Sequence, residues 1–312
     1  MRSKTPPTIL MLAVLLVGVL LGVLLQRSLG LGNLLRAVGV QYPTRTPEQS
    51  FLPHRPPLLP GIPPEYQGRL ALFILAGQSN MSGYAPLPDD QSQDPRAYVF
   101  GNNYRWSVAA EPVDDPRDQV DPVSFDHGGF GPSLAFALAS LERQPDVPVG
   151  LIPCARGSSS IVEWQRDLSD QSLYGSCLKR VRAASPMGYL AGMLFFQGEQ
   201  DAFHGTLLRQ ITTDPENWSQ MFSTFIEDFR LDLGEPALPV VFAQLGSAPG
   251  GEALSGWAMV QQQQRAVNLT GTAMITTDDL DYFDELHFTV ESYQVIGERF
   301  SDAYWDLVLE GE

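Results

Sequence analysis

Short apolar runs alternate with helix-like stretches along the chain from about residue 69 onward. Apolar runs of this length are typical of strands buried in a parallel sheet, and they occupy residues 70–76, 147–153, 190–196, 238–245 and 272–276. Between them, apolar residues recur three or four positions apart, as in helices with one buried face. The clearest of these stretches are residues 131–142, 173–184, 218–234 and 257–269. The pattern predicts an α/β fold: a doubly wound, flavodoxin-like and mostly parallel five-stranded sheet with helices on both faces.

Residues 82–130 interrupt this alternation. The segment is long, polar and proline-containing, which predicts a loop insertion. Ligands of doubly wound folds bind at the carboxyl ends of the strands, and we expect the insertion to lie near that edge of the sheet.

The N-terminus carries a separate hydrophobic signal. Residues 9–25 form an uncharged apolar run that follows Arg2 and Lys4. As a helix this run would rise about 26 Å, slightly less than the roughly 30 Å hydrocarbon core of a membrane. We predict that residues 1–36 are a signal anchor, and the small residues in Ser28-Leu29-Gly30 leave a cleaved signal peptide as the alternative. Both interpretations predict an extracytoplasmic protein, anchored by a single N-terminal helix or secreted if that segment is cleaved.

A proline-rich stretch separates this segment from the alternating pattern. Residues 43–68 contain eight prolines, which lack a backbone N–H donor and favour an extended chain over packed structure. We therefore predict a semi-rigid stalk over residues 37–68 and a folded domain over residues 69–312.

Composition and charge narrow the class of protein. The 312 residues are 44% hydrophobic, enough for a large core, and the net charge is −16. Such a surface repels phosphate backbones, so no nucleic acid is expected as a partner. Cys154 and Cys177 could form one disulfide in an extracytoplasmic protein, but they lack the spacing of a zinc site. The four histidines are scattered without helical pairing, and we expect neither metal nor cofactor.

Polar clusters follow four of the predicted strands. They read GQSN from residue 77, PCARGSSS from residue 153, FQGEQDA from residue 196 and DYFDELHF from residue 281. The carboxyl ends of parallel strands meet at one edge of the sheet, so these segments can converge. Ser79, His287 and Asp284 then supply a nucleophile, a base and an acid that orients the base, which predicts nucleophilic acyl transfer.

The same four motifs, in this order, resemble those of the SGNH hydrolases. The resemblance is greater to their sialate O-acetylesterase and acetylxylan esterase branch, which are carbohydrate acetylesterases, and it covers residues 70–300. It implies Ser79 as nucleophile with Asp284 and His287, and no cofactor. It also implies an oxyanion hole formed by the backbone N–H groups of Ser79 and Gly157 and by the side-chain amide of Gln197.

Two positions depart from the family's pattern. Ser158 follows Gly157 where the family usually has a second glycine, and Gln200 stands where the third motif usually has serine. The oxyanion donor at Gly157 is a backbone N–H, so these changes bear on substrate preference more than on the chemistry. Glu199 and Asp201 are interpreted as structural carboxylates that orient loops.

The residues and the resemblance together predict a serine esterase that removes O-acetyl groups from carbohydrate. The substrates would be acetylated polysaccharides or sialic acid derivatives, and the N-terminal helix would contact the membrane. One alternative is a lipid or thioester hydrolase of the same superfamily, which would need an apolar acyl groove. Another is a catalytically silent carbohydrate-binding protein on the same scaffold.

Overall fold

The computed structural model describes residues 61–203, 213–250 and 254–309, all within the compact unit Phe51–Glu312. The strands in these ranges are β1 (Leu70–Gly77), β2 (Ala97–Phe100), β3 (Trp106–Val108), β4 (Val149–Pro153), β5 (Gly188–Phe196), β6 (Val240–Ala243) and β7 (Thr272–Ile275). The α-helices are α1 (Ser79–Ser82), α2 (Ser133–Arg143), α3 (Leu173–Ala184), α4 (Glu199–Ala202), α5 (Trp218–Leu233), α6 (Trp257–Arg265) and α7 (Val290–Leu309).

All five predicted strands are present in one sheet, with the order β3-β2-β4-β1-β5-β6-β7. The neighbouring strands are parallel except for β3, which pairs antiparallel with β2. The expected count of five strands is therefore corrected to seven among the described residues. The two additional strands, β2 and β3, lie inside residues 82–130, which were predicted as a loop. They contain only four and three residues, too few to show a periodic pattern.

Aromatic contacts on the two central strands show that helices cover both faces of the sheet. Phe73 on β1 packs edge-on against Phe136 of α2 and Tyr304 of α7, with ring centroids 4.7 and 4.9 Å away. Phe195 on β5 packs instead against Phe222 of α5, at 5.3 Å. Phe73 pairs with Gly192 on β5, three residues from Phe195, so the two phenyl rings point to opposite faces. The doubly wound prediction is confirmed.

The helix α7 is a feature that the sequence analysis did not predict. Its buried positions include Tyr293, Ile296 and Phe300, spaced three and four apart. It packs against α2, where a Cβ on Gly297 would lie 2.5 Å from the carbonyl oxygen of Pro132. Glycine is therefore needed for the two helices to approach this closely.

The first described residues pack onto the domain although they belong to the predicted stalk. Ile62 is 9% exposed within the core, and the Tyr66 ring lies 6.2 Å from that of Tyr98. Residues of the predicted stalk, from Ile62 onward among those described, thus pack on the domain. The predicted anchor lies outside the described residues, and within them no helix is both long enough and apolar enough to span a bilayer.

A disulfide joins the residue after strand β4 to the helix α3. Cys154, directly after β4, is bonded to Cys177 on α3. Both residues are buried. The bond therefore ties the loop that follows β4, which carries the second motif, to the helix packed behind it.

Candidate active site

Ser79 begins α1 immediately after β1, on a turn that only glycine permits. Gly77 has a φ of +133°, and a Cβ there would lie 2.1 Å from the carbonyl oxygen of Phe196 at the end of β5. The next side chain, Gln78, accepts hydrogen bonds from the backbone N–H groups of Gly198 and Gln200. The nucleophile turn is thus fixed to the end of the neighbouring strand.

The three predicted catalytic side chains form a continuous hydrogen-bonded chain. His287 Nε2 lies 3.0 Å from Ser79 Oγ, and His287 Nδ1 lies 2.9 Å from Asp284 Oδ2. These are the distances expected between a nucleophile, its general base and the group that orients the base. The structure brings together residues 208 positions apart in the sequence.

The Asp284 carboxylate also holds the loop that carries the histidine. Its Oδ1 accepts hydrogen bonds from the backbone N–H groups of Leu286 and His287, at 2.8 and 2.7 Å. Burial raises the pKa of Asp284, but the hydrogen bond from the His287 ring and these N–H donors outweigh it and hold the pKa below its ordinary value. The Asp284 carboxylate is therefore ionised at neutral pH and gives the His287 imidazole a negatively charged partner.

Asn80 connects the nucleophile helix to the histidine loop, a role that the sequence analysis missed. Its amide Nδ2 donates to the carbonyl oxygen of Leu286 at 3.0 Å and to the buried carboxylate of Glu199. Its Oδ1 accepts from the hydroxyl of Tyr293 at 2.6 Å. Burial raises the pKa of Glu199 despite the hydrogen bond from Asn80. Through its hydrogen bond with Asn80, the buried Glu199 carboxylate positions the nucleophile helix and the histidine loop, in agreement with the structural role predicted for it.

Tyr84 covers the imidazole of His287. The two rings are stacked, with centroids 3.8 Å apart and planes inclined by 19°. The tyrosine follows α1 within the segment that the sequence analysis treated as a loop insertion. Its contact with His287 joins positions far apart in the chain, so no local pattern could have indicated it.

A cavity of about 280 Å³ opens beside the Ser79 hydroxyl. It is lined by Ser79, Tyr84, Phe125, Asp126, His127, Gly157, Ser158 and His287. His127 is exposed at the cavity wall. Ser158 has a φ of +60°, a left-handed conformation that the glycine usual in the family's pattern would adopt without a steric penalty. The described residues contain no group of three histidine, cysteine or acidic side chains suited to a metal ion.

Gly157 lies at this cavity, but its backbone N–H is already engaged. It donates to Asp126 Oδ2 at 2.6 Å, and the same oxygen accepts from the hydroxyl of Ser82 at 2.7 Å. Asp126 belongs to the segment 82–130, and the sequence analysis did not single it out. The predicted oxyanion donor at Gly157 can serve only if this hydrogen bond is exchanged.

The contacts of the Gln197 side chain do not favour its predicted oxyanion role. Its Nε2 donates to the carbonyl oxygen of Ser159 at 2.9 Å and to Asp201 Oδ2 at 2.7 Å, which uses both hydrogens of the amide. Its Oε1 accepts from Trp218 Nε1 at 2.9 Å. The residue is fully buried and does not line the cavity beside Ser79. Gln197 thus joins the second and third motifs from beneath the site.

Comparison with known proteins places this arrangement in a family. Residues 69–306 match the family described as "Carbohydrate esterase, sialic acid-specific acetylesterase". The chain belongs to this family. The resemblance to the sialate O-acetylesterase branch of the SGNH hydrolases is therefore confirmed, and this carbohydrate esterase family accounts for nearly all of the described residues.

Individual relatives agree with the assignment to the carbohydrate esterases. A protein of Arabidopsis thaliana named "Probable carbohydrate esterase" is 28% identical over 269 residues, covering 80% of this chain and 94% of its own. Its crystal structure aligns with a TM-score of 0.63 at 27% identity, over 75% of this chain and 97% of that one. NanS aligns with a TM-score of 0.60 at 19% identity, over 78% and 99% of the two chains. The latter likeness shows the shared fold.

Proposed function

We propose that this carbohydrate esterase is a serine hydrolase that removes O-acetyl groups from carbohydrate through an acyl-enzyme on Ser79. The observation that carries the proposal is the hydrogen-bonded chain from Ser79 Oγ through His287 to Asp284, at 3.0 and 2.9 Å, beside a cavity open to substrate. The family supports an ester of a carbohydrate as the substrate.

In the proposed first half-reaction, Ser79 Oγ attacks the acetyl carbonyl while His287 Nε2 takes the hydroxyl proton. Asp284, bonded to Nδ1, holds the imidazole in the tautomer that can accept this proton and stabilises the imidazolium. Collapse of the tetrahedral intermediate breaks the ester bond, and His287 returns the proton to the departing sugar oxygen. Water then attacks the acetyl-serine with His287 again acting as base, which releases acetate.

The developing oxyanion needs hydrogen-bond donors that are free or can be freed. The Ser79 backbone N–H begins α1 and therefore has no acceptor within that helix. In our proposal the Gly157 N–H joins it when the acetyl oxygen replaces the Asp126 carboxylate. Gln197 is left out of the oxyanion hole because its amide hydrogens are engaged inside the protein.

The cavity argues against the alternative of a lipid or thioester hydrolase. A long acyl chain needs an apolar groove, whereas most of the residues around Ser79 are polar and the volume is about 280 Å³. This size suits an acetyl group. A silent binding protein on the same scaffold would have no reason to keep the serine and histidine within hydrogen-bonding distance.

A chain-length series of esters separates these possibilities. Purified protein is assayed on p-nitrophenyl acetate, butyrate and octanoate, alongside the variant Ser79→Ala. We expect turnover of the acetate ester that declines with chain length and disappears in the variant. A preference for octanoate would favour the lipid hydrolase, and equal rates in the wild type and the variant would refute the serine mechanism.

The proposed location is outside the cytoplasm, with residues 1–36 holding the enzyme at a membrane or directing its secretion. The buried Cys154–Cys177 disulfide supports an oxidising compartment. Fractionation of cells that produce the full chain, followed by alkaline extraction of membranes, tests this proposal. Recovery of the enzyme with the cytosol would contradict it.

A further inference from the structure

The charges around the Ser79 cavity are unbalanced. Among the described residues that line it, Asp126 contributes a carboxylate and no lysine or arginine is present. A sugar bound with its acetyl group at Ser79 therefore lies close to a carboxylate that no lysine or arginine of the lining compensates. This matters for substrate choice because O-acetylated sugars fall into neutral ones and ones that carry a carboxylate, as sialic acids do.

The position of Asp126 is fixed by hydrogen bonds. Its Oδ2 accepts from the Gly157 N–H and the Ser82 hydroxyl, and its Oδ1 accepts from the His127 N–H at 2.8 Å. The residue is 5% exposed, so water screens it poorly. These contacts tie the carboxylate to both the nucleophile helix and the Gly157 turn, so it cannot turn away from an anionic ligand without breaking them.

The basic residue next to Gly157 in the sequence does not offset the charge of Asp126. Arg156 precedes Gly157, but its guanidinium donates to the carboxylate of Glu163 and does not line the cavity. Glu163 in turn accepts from the backbone N–H of Ser160 at 2.9 Å. The guanidinium is thus already paired within its own loop.

A neutral sugar suits the same surroundings. When the Gly157 N–H turns to the acetyl oxygen, the Asp126 carboxylate loses one donor, and a sugar hydroxyl can supply another. Phe125, the preceding residue, is 55% exposed at the cavity wall. A phenyl ring offers an apolar surface for the C–H face of a pyranose. Adjacent residues therefore provide an acceptor for hydroxyls and a flat apolar contact.

We propose that Asp126 is a specificity-determining residue that makes this esterase select uncharged O-acetylated sugars and reject those bearing a carboxylate. The inference rests on the proposed function, since it concerns the same cavity and the same reaction. The family's description names an acidic sugar. The inference assigns an uncharged sugar instead.

The experiment compares two substrates that differ at one carbon, which carries a neutral alcohol in one and a carboxylate in the other. One is a mono-O-acetylated methyl glucoside, and the other is the matching methyl glucuronide, in which a carboxylate replaces the primary alcohol. For the wild type, we expect kcat/KM to be at least about tenfold higher for the glucoside, mainly through KM. Asp126→Asn keeps an acceptor oxygen and removes the charge, and it should reduce the ratio several-fold.

A matched control changes the net charge by the same amount elsewhere. Asp302 lies on α7 and pairs with Arg143, away from the cavity, so Asp302→Asn should leave the substrate ratio unchanged. A wild type that cleaves the glucuronide as well as the glucoside overturns the inference, and so does an Asp126→Asn ratio equal to that of the wild type. The comparison of the two substrates with the wild-type enzyme does not depend on whether any variant folds. Absence of any Ser79-dependent acetate release would instead refute the proposed function.

Discussion

At the scale of single residues, Tyr84 is the clearest addition to the predicted triad. Its ring stacks on His287 at 3.8 Å, which holds the imidazole plane and favours the imidazolium formed during catalysis. Aromatic pairs contribute about 0.5–1.5 kcal/mol beyond their buried area, so Tyr84→Ala should lower kcat/KM by up to about tenfold. Steady-state kinetics on p-nitrophenyl acetate checks this, with Tyr84→Phe as the control that keeps the ring. Equal losses in both variants would mean that the hydroxyl, and not the stacking, matters.

The contacts of Gln197 indicate a structural role, so its substitution should affect stability more than catalysis. Gln197→Ala leaves the Trp218 indole N–H and the Ser159 carbonyl without these partners and removes one of the donors to Asp201, and each unpaired buried group costs about 1–3 kcal/mol. We expect a clear drop in Tm and a kcat near that of the wild type in the fraction that remains folded. An unchanged Tm with kcat lowered by roughly 10² to 10³ would restore the oxyanion role predicted from the sequence.

The residues that could be predicted from sequence are those whose chemistry is evident in a short motif. Ser79, Asp284 and His287 each lie in a polar cluster at a strand end, and the structure brings all three together. The donors proposed for the oxyanion were less predictable. Whether an amide or N–H is free depends on its partner, and Gly157 is bonded to Asp126, 31 residues away.

At the scale of elements, the disulfide between β4 and α3 gives a prediction about stability. It closes a loop with a sequence separation of 23 residues, for which a loss of unfolded-state entropy corresponds to about 3 kcal/mol. Replacing both Cys154 and Cys177 by alanine should lower the free energy of unfolding by about this amount, as measured by urea denaturation. Thiol titration of the unreduced, denatured wild-type protein should detect neither cysteine as a free thiol. Two titratable thiols would contradict the bond.

Elements were predictable where they were long or fully apolar. The five predicted strands lie side by side in the sheet, from β4 to the edge strand β7, and residues 173–184 form a helix with the predicted bounds. The short strands β2 and β3 were missed because their pairing with β4 and with each other, and not their own sequence, determines them. The helix α7 was not predicted, although its buried apolar residues have helical spacing.

At the scale of the whole molecule, buried acids make stability depend on pH. Burial raises the pKa of Glu111 to about 8, of Asp114 to about 7 and of Asp201 to about 6. In the unfolded chain these groups titrate near 4. Between that value and each raised pKa, the folded state binds more protons, so stability decreases as pH rises through this window. Asp279, with a pKa lowered to about 2, acts in the opposite direction but only below pH ~4.

We therefore expect Tm to be higher at pH 5.5 than at pH 8.5. Differential scanning calorimetry at constant ionic strength measures this difference. Glu111→Gln removes the acid with the highest of these pKa values, so the variant should show a smaller decrease across the same range. A wild-type Tm that is equal or higher at pH 8.5 would contradict the account of these buried groups.

The proposed mechanism depends on an acetyl-enzyme at Ser79, and mass spectrometry of the quenched enzyme detects this intermediate directly. Wild-type protein is mixed with p-nitrophenyl acetate, quenched in acid within the first turnover and digested. We predict that the peptide containing Ser79 gains the mass of one acetyl group, and that Ser79→Ala gains none and releases no acetate above background. Acetate release by Ser79→Ala at the wild-type rate would contradict the claim.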